Sequence, residues 1–153
     1  MQAFIEQNLP NVFRTQAELI KGIWQTLEMT FVSGLISASF GIFFGVLLTV
    51  CKPEGISPNK LVYQLLDKLI NVFRSIPFVI LISLLMPLTR LITGTAIGTK
   101  GAIFPLIVGT VPFFSRQVNA ALEEVDPGTV EAAQSMGFTT PQIIWSVYLR
   151  EGL

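Results

Sequence analysis

The stretch MTFVSGLISASFGIFFGVLLTV, residues 29–50, contains 22 residues and no charged side chain. A helix of that length rises about 33 Å, which is enough to cross a hydrocarbon core of roughly 30 Å. The whole chain has 51% hydrophobic and only 13% charged residues, whereas soluble domains usually carry about 25% charged residues. The sequence therefore predicts an all-α membrane protein whose first span is Met29–Val50.

Small side chains recur at every fourth position of this first span, at Ser33, Ser37, Gly41 and Gly45. Positions four apart lie on one face of a helix, so the four residues form a small-residue stripe. In lipid, helices associate through close packing, and small residues let two backbones approach each other. We expect the stripe to pack tightly on a neighbouring helix; the alternative is that small residues are merely tolerated there.

Residues 1–28 precede the span and carry charges. Between Asn11 and Glu28, apolar residues recur at roughly helical spacing, with charged residues on the other faces. This pattern is typical of an amphipathic helix at the membrane surface, with Trp24 at the level of the lipid headgroups. We therefore predict a separate interfacial segment over residues 1–28.

Two further spans are predicted, which completes a transmembrane domain over residues 29–122. Ser75–Thr89 is uncharged for 15 residues but rises only about 22 Å as a helix, so it is too short by itself. Joined to the amphipathic turns before it, it predicts one long helix over residues 61–89. The third span is expected over residues 101–122. Prolines interrupt both segments, as is common in transporters.

The second helix carries a polar stripe that includes Asp67, Asn71 and Arg74. Either this half of the helix protrudes into water, or these residues line the inner mouth of a pathway. Protrusion into water is the simpler interpretation; the functional one is supported by the observation that ionisable residues at membrane depth usually face a cavity.

Lysine and arginine counts predict the orientation in the membrane. With three spans, one side receives six basic residues and the other side four. Because basic residues accumulate on the cytoplasmic side, the N-terminus is expected outside and residues 116–153 in the cytoplasm.

Residue types argue against an enzyme. The chain has no histidine, which removes the usual general base and the commonest metal ligand. Asp67 is the only acidic residue expected at membrane depth, so paired aspartates are absent from the spans. We therefore predict no catalytic residue, no metal site and no cofactor-binding site on this chain.

The region after the third span is polar, acidic and punctuated by helix signals. Asp126-Pro127 is typical of a helix start, and Gly137 stands where a left-handed helix cap needs glycine. Thr140-Pro141 repeats the start signal, and an apolar face follows it at Ile143, Ile144, Val147 and Tyr148. The pattern predicts two short helices joined by a tight turn.

A DNA-binding helix-turn-helix is an alternative interpretation of this region, because Ala133 and Gly137 fit its turn. From Gln117 to Leu153, however, one basic residue stands against five acidic ones, a net charge of −4. Such a segment cannot neutralise phosphates, which supply most of the affinity for nucleic acid. We therefore expect no nucleic-acid partner.

The stretch EAAQSMGFTTPQIIWSVYLREGL, residues 131–153, strongly resembles the EAA loop of ABC-importer permease subunits. The resemblance extends upstream through residues 71–98 and 105–128, where the chain is similar to methionine importer permeases. In that family the loop is a cytoplasmic coupling element that seats in a groove of an ATPase. The resemblance assigns this role to Glu131, Ala132, Ala133, Met136, Gly137, Phe138 and Ile144.

The resemblance implies a helix bundle of the ABC-importer transmembrane type in the bacterial inner membrane, with a coupling loop over residues 123–153. It implies import of an amino acid, methionine, with ATP and magnesium bound on the partner ATPase. The expected partners are a second copy of the permease, the ATPase subunits, an external substrate-binding protein and membrane lipid.

Two departures keep an alternative open. Family members typically have proline where this chain has Arg150, and they continue with at least two more membrane helices. A truncated, non-transporting permease fragment, or a small structural or regulatory membrane protein, is therefore the alternative expectation.

Overall fold

The computed structural model describes residues 15–152, and within them the chain is helical with no strand. Four long helices are followed by three short ones and a π-helical turn. Their bounds are α1 Gln16–Cys51, α2 Lys60–Ser75, α3 Phe78–Thr93, α4 Gly98–Glu123, α5 Pro127–Ser135, α6 Thr140–Ile143, the π-helical turn Ile144–Tyr148 and α7 Leu149–Gly152. The predicted all-α helix bundle is confirmed.

Helix α1 is a single helix of 36 residues, which corresponds to about 54 Å. No proline lies between its ends, and nothing else in that stretch stops a helix. The boundary predicted after residue 28 is therefore not a helix break, and the described part of the interfacial segment continues directly into the span. Residues 1–14, where that segment was expected to begin, lie outside the described residues.

The single long helix predicted over residues 61–89 is wrong. Helices α2 and α3 are separate, and their axes differ by 107°. The break falls at Ile76, which is extended with φ −82° and ψ 122°, directly before Pro77. A proline ring clashes with helical geometry at the preceding residue, so α2 ends there. Pro87, by contrast, lies inside α3.

Helices α1 and α4 pack closely against each other and run in the same direction. Gly41 lies against Phe114, and a Cβ at Gly45 would be 2.6 Å from Cβ of Val118. Ser33 and Ser37 are buried on the same face of α1. The small-residue stripe therefore faces α4 of the same chain.

The parallel arrangement bears on the number of spans. Helices α1 and α4 are each long and apolar enough to cross a membrane, and the bent α2–α3 pair qualifies only as one broken span. If α1 and α4 cross in the same direction, the chain between them has to return. The geometry is therefore compatible with three spans, of which the middle one is formed by the two helices α2 and α3. Helix α4, Gly98–Glu123, begins three residues before and ends one residue after its predicted bounds.

Candidate functional site

The coupling element, which we define as residues 126–149, begins with a capped helix. The Asp126 Oδ1 atom accepts a hydrogen bond of 2.8 Å from the Gly128 backbone N–H, and Pro127 occupies the first turn of α5. This satisfies a backbone donor that a helix start leaves without a partner. The predicted start at Asp126-Pro127 is confirmed.

Helix α5 ends in a left-handed turn at Gly137, whose φ is 81°. The Phe138 N–H donates to the Ala133 carbonyl at 3.1 Å, and the Gly137 N–H donates to the Gln134 carbonyl at 2.9 Å. These two bonds are the pair that defines a Schellman cap. The left-handed cap predicted at Gly137 is confirmed, and it fixes the direction in which the chain enters α6.

The start of α6 lies one residue earlier than predicted. Thr139, not Thr140, is the capping residue, and its backbone N–H donates to Gln142 Oε1 at 2.8 Å. Pro141 then falls at the second helical position. Thr139 and Thr140 could each cap the helix. Thr139 is the cap because Gln142 stands three residues after it and accepts its backbone N–H.

The coupling element has a hydrophobic core that it shares with the end of α4. The core joins two residues of α4 to six residues beyond it: Val118, Leu122, Val125, Val130, Ala133, Ile143, Val147 and Tyr148. All of them are buried, and the most accessible, Val125 and Val130, are 8% exposed. The two short helices are therefore packed onto α4 as one body and do not hang from it as a flexible loop.

The residues expected to contact an ATPase divide into an exposed set and a packed set. Glu131 and Ala132 are exposed on α5, and at the turn Met136 is 68% and Phe138 40% exposed. Ala133 is buried in the shared core.

Ile144 is only half-buried, and its neighbour Trp145 is 74% exposed. Trp145 was not among the residues predicted to dock. A large aromatic residue one position away from a predicted apolar face was the available signal.

A cavity of about 370 Å³ separates α5 from the loop that follows α1. Its polar lining includes Lys52, Glu123, Glu131 and Gln134. Burial raises the pKa of the Tyr148 hydroxyl above its ordinary value, so this one side chain adds no charge to the wall at physiological pH. Within residues 15–152, no group of three or more acidic or cysteine residues could hold a metal ion.

Two of the three predicted pathway residues meet at one basic residue. Arg116 of α4 donates from Nη2 to Asp67 Oδ1 at 2.6 Å and to Asn71 Oδ1 at 3.0 Å. Asn71 Nδ2 also donates to Asp67 Oδ2 at 3.1 Å. Arg74 lies exposed one turn further along α2 and is not part of this cluster.

The polar contacts continue from Arg116 to the end of α1. Asn119 Nδ2 donates to Thr49 Oγ1 at 3.0 Å and to Glu123 Oε1 at 3.3 Å. Glu123 in turn lies 3.7 Å from Lys52 Nζ. Sequence reasoning missed this set, although Arg116, Asn119 and Glu123 recur at a spacing that places them on one face of α4.

Comparisons with known proteins identify what the chain is similar to. Residues 22–153 match the family described as the binding-protein-dependent transport system inner membrane component. The chain is 49% identical to the D-methionine transport system permease protein MetI of Yersinia pestis over 135 residues, which is 88% of this chain and 62% of that protein. The MetI protein of Escherichia coli K12 is 47% identical over the same shares.

A solved structure of the MetNI methionine ABC transporter in inward-facing conformations superimposes with a TM-score of 0.89 and 45% identity. The match covers 92% of this chain and 65% of that chain. The helix arrangement is therefore of the ABC-importer transmembrane type, as the sequence predicted. The chain spans about 62% of the length of the curated relatives it matches.

Proposed function

Because the chain belongs to the family of binding-protein-dependent transport system inner membrane components, we propose that it acts as the permease subunit of an ATP-driven importer. In this role it forms part of the route through the inner membrane and catalyses no covalent reaction. ATP and magnesium bind to a separate ATPase, and the closing of that ATPase drives the change between inward-open and outward-open states.

The observation that carries this proposal is the exposed apolar knob at the turn of the coupling element. Met136 and Phe138 project from a turn whose direction is fixed by the Gly137 cap. Exposed apolar side chains on a well-ordered turn are typical of residues that fill a pocket on a partner. Because α5 and α6 share a hydrophobic core with α4, a force applied at this knob is transmitted to α4.

Methionine is the substrate we propose. The support is the identity of 47% and 49% to proteins named as D-methionine transport system permeases. We assign the polar stripe of α2 to the substrate route, with Asn71 and Arg74 on its exposed side. Uptake of labelled methionine by membranes that contain the permease and its ATPase, in competition with other amino acids, tests the assignment.

The remaining partners follow from the same role. Large apolar residues are exposed along α1 and α3, among them Phe31 and Leu91. A membrane protein presents such surfaces to lipid or to another membrane subunit. We propose that part of this surface meets a second permease copy and that a substrate-binding protein docks on the outer side.

Capture of the ATPase tests the docking surface. Met136→Ser and Phe138→Ser should each reduce the ATPase that co-purifies with the tagged chain, because they remove apolar contact area without disturbing the cap. Ile97→Ser is the control, since Ile97 is an exposed apolar residue in the loop between α3 and α4, away from the coupling element. Equal capture by all three variants and the parent would exclude this turn as the coupling surface.

Orientation is tested with introduced cysteines in a Cys51→Ser background. We propose that Glu131→Cys lies in the cytoplasm and that Ile97→Cys, in the exposed loop between α3 and α4, lies outside. An impermeant thiol reagent should therefore label position 97 and spare position 131 in intact cells. The opposite pattern would reverse the topology and rule out the docking role.

A further inference from the structure

Arg116 is the point where the pathway helix α2 is joined to α4. Its guanidinium reaches Asp67 and Asn71 on α2, and its Nη1 donates to Asn119 Oδ1 on its own helix at 3.4 Å. The Arg116–Asp67 contact links residues 49 positions apart, and both side chains are about three-quarters withdrawn from solvent. Hydrogen bonds of this charge-assisted type are among the stronger polar contacts in proteins.

The same face of α4 also holds the end of α1. Asn119 bonds to the buried Thr49, which extends the small-residue stripe by one more turn, and Glu123 pairs with Lys52. Three helices are thus tied together by one row of polar side chains on α4. The row occupies the end of α4 that is nearest the coupling element.

The shared hydrophobic core begins directly beside this row. Val118 and Leu122 belong to the core of the coupling element, and they alternate along α4 with Arg116, Asn119 and Glu123. A displacement of α5 and α6 must therefore move this end of α4, because the core packs them as one body. The movement reaches α2 through the Arg116 contacts.

We propose that Arg116 is a positioning residue that transmits the movement of the coupling element to α2, and so couples ATP hydrolysis to transport. This inference rests on the proposed permease function. Asp67 is its anchor on α2, whereas Asn71 and Asn119 orient the guanidinium. Loss of the link leaves docking intact, since the knob at Met136 and Phe138 does not include it.

The experiment measures three quantities on the full chain assembled with its ATPase: ATPase captured, ATP hydrolysed and labelled methionine imported. Arg116→Gln should capture the ATPase as the parent does and should hydrolyse ATP, but import should fall about tenfold. The ATP consumed per methionine carried therefore rises. Lys60→Gln is the matched control: Lys60 is an exposed cation at the start of α2, outside the polar stripe and without an ion pair among residues 15–152, and its loss should change nothing.

Two further variants make the test specific to the pair. Arg116→Lys should retain only part of the import. Lysine keeps the positive charge that faces Asp67, but its ammonium cannot bond Asp67, Asn71 and Asn119 in one plane. Asp67→Asn added to Arg116→Gln should cause little further loss, since both changes remove the same contact.

Parental import by Arg116→Gln would overturn the inference. So would a loss of import that runs parallel to an equal loss of captured ATPase, because Arg116 would then serve only to hold the fold. Failure of the parent chain to capture any ATPase is a separate result, which contradicts the proposed function itself.

Discussion

In the crossing of α1 and α4 the glycines leave no room for a side chain, whereas at the turn between α5 and α6 the glycine is surrounded by open space. A Cβ at Gly45 would lie 2.9 Å from the Ser115 carbonyl oxygen, but a Cβ at Gly137 would have no atom within 4 Å. Gly137 instead has a φ of 81°, which side chains with a Cβ rarely adopt.

The difference teaches that one residue type serves two physical requirements here. Where α1 crosses α4, glycine allows the two helix backbones to approach closely, and the requirement is steric. In the coupling element, glycine permits a backbone conformation, and the requirement is local. Substitutions should therefore affect different properties: the assembly of the bundle in the first region, and the docking of a partner in the second.

The largest effect is expected from Gly45→Leu. The leucine side chain would collide with Val118 and with the backbone of α4, and we expect a destabilisation of about 3 kcal/mol or more. The protein recovered from membranes and its thermal midpoint in detergent should both fall. Gly34→Leu is the control, because a Cβ at Gly34 meets nothing within 4 Å. Similar behaviour of the two variants would show that the stripe is not a packing face.

A smaller effect is expected at Gly137, and it should appear in docking. Gly137→Ala must hold a strained backbone at a cost of roughly 1–2 kcal/mol, and Gly137→Val should be worse because β-branching restricts the backbone further. Captured ATPase should decrease in the order parent, alanine, valine, at matched amounts of membrane-inserted chain. Undiminished capture by the valine variant would contradict the coupling role of this turn.

Asp126→Ala should have a milder effect on the same element. It removes the carboxylate that accepts the Gly128 N–H, and loss of a capping side chain typically costs about 1 kcal/mol. Asp126→Asn keeps an acceptor and should retain most of the stability. The difference is measured by heating each variant and recording how readily a protease then cleaves the chain beyond residue 123. Identical thermal curves for the alanine and asparagine variants would mean that the hydrogen bond to the capping side chain contributes nothing.

The smallest change, with the opposite sign, is expected at Ser37. Its side chain is fully buried, and Oγ has no hydrogen-bond partner among the described residues. Ser37→Ala keeps a small residue in the stripe and removes a buried polar atom, so the thermal midpoint should stay the same or rise slightly. A clear fall would indicate that this hydroxyl has a partner in the assembled transporter.

Features that depend on neighbouring residues in the sequence were predictable. The charge-free run of residues 29–50 lies within α1, which is long and apolar enough to cross a membrane, because length and hydrophobicity are properties of the local sequence. The caps at Asp126 and Gly137 were predicted because each is satisfied by backbone groups within five residues. The EAA pattern then identified the family, in agreement with the match over residues 22–153.

Features that depend on distant residues were not predictable from this sequence. Pro77 breaks a helix, whereas Pro87, Pro105 and Pro112 lie inside helices, so proline alone does not locate the 107° bend. Whether the freed carbonyls find partners depends on tertiary packing. The Arg116–Asp67 pair was missed for the same reason, since nothing local brings two residues 49 positions apart together.

The core that α4 shares with α5 and α6 sets the boundaries for building chimeric permeases. A graft that exchanges only residues 124–152 would place a foreign set of side chains against Val118 and Leu122, and mismatched volumes in a core are costly. The transplantable unit is therefore residues 115–152, which carries the end of α4 with it. Arg116 would then travel to the new host, so the host helix that corresponds to α2 must supply an acidic residue at the position of Asp67.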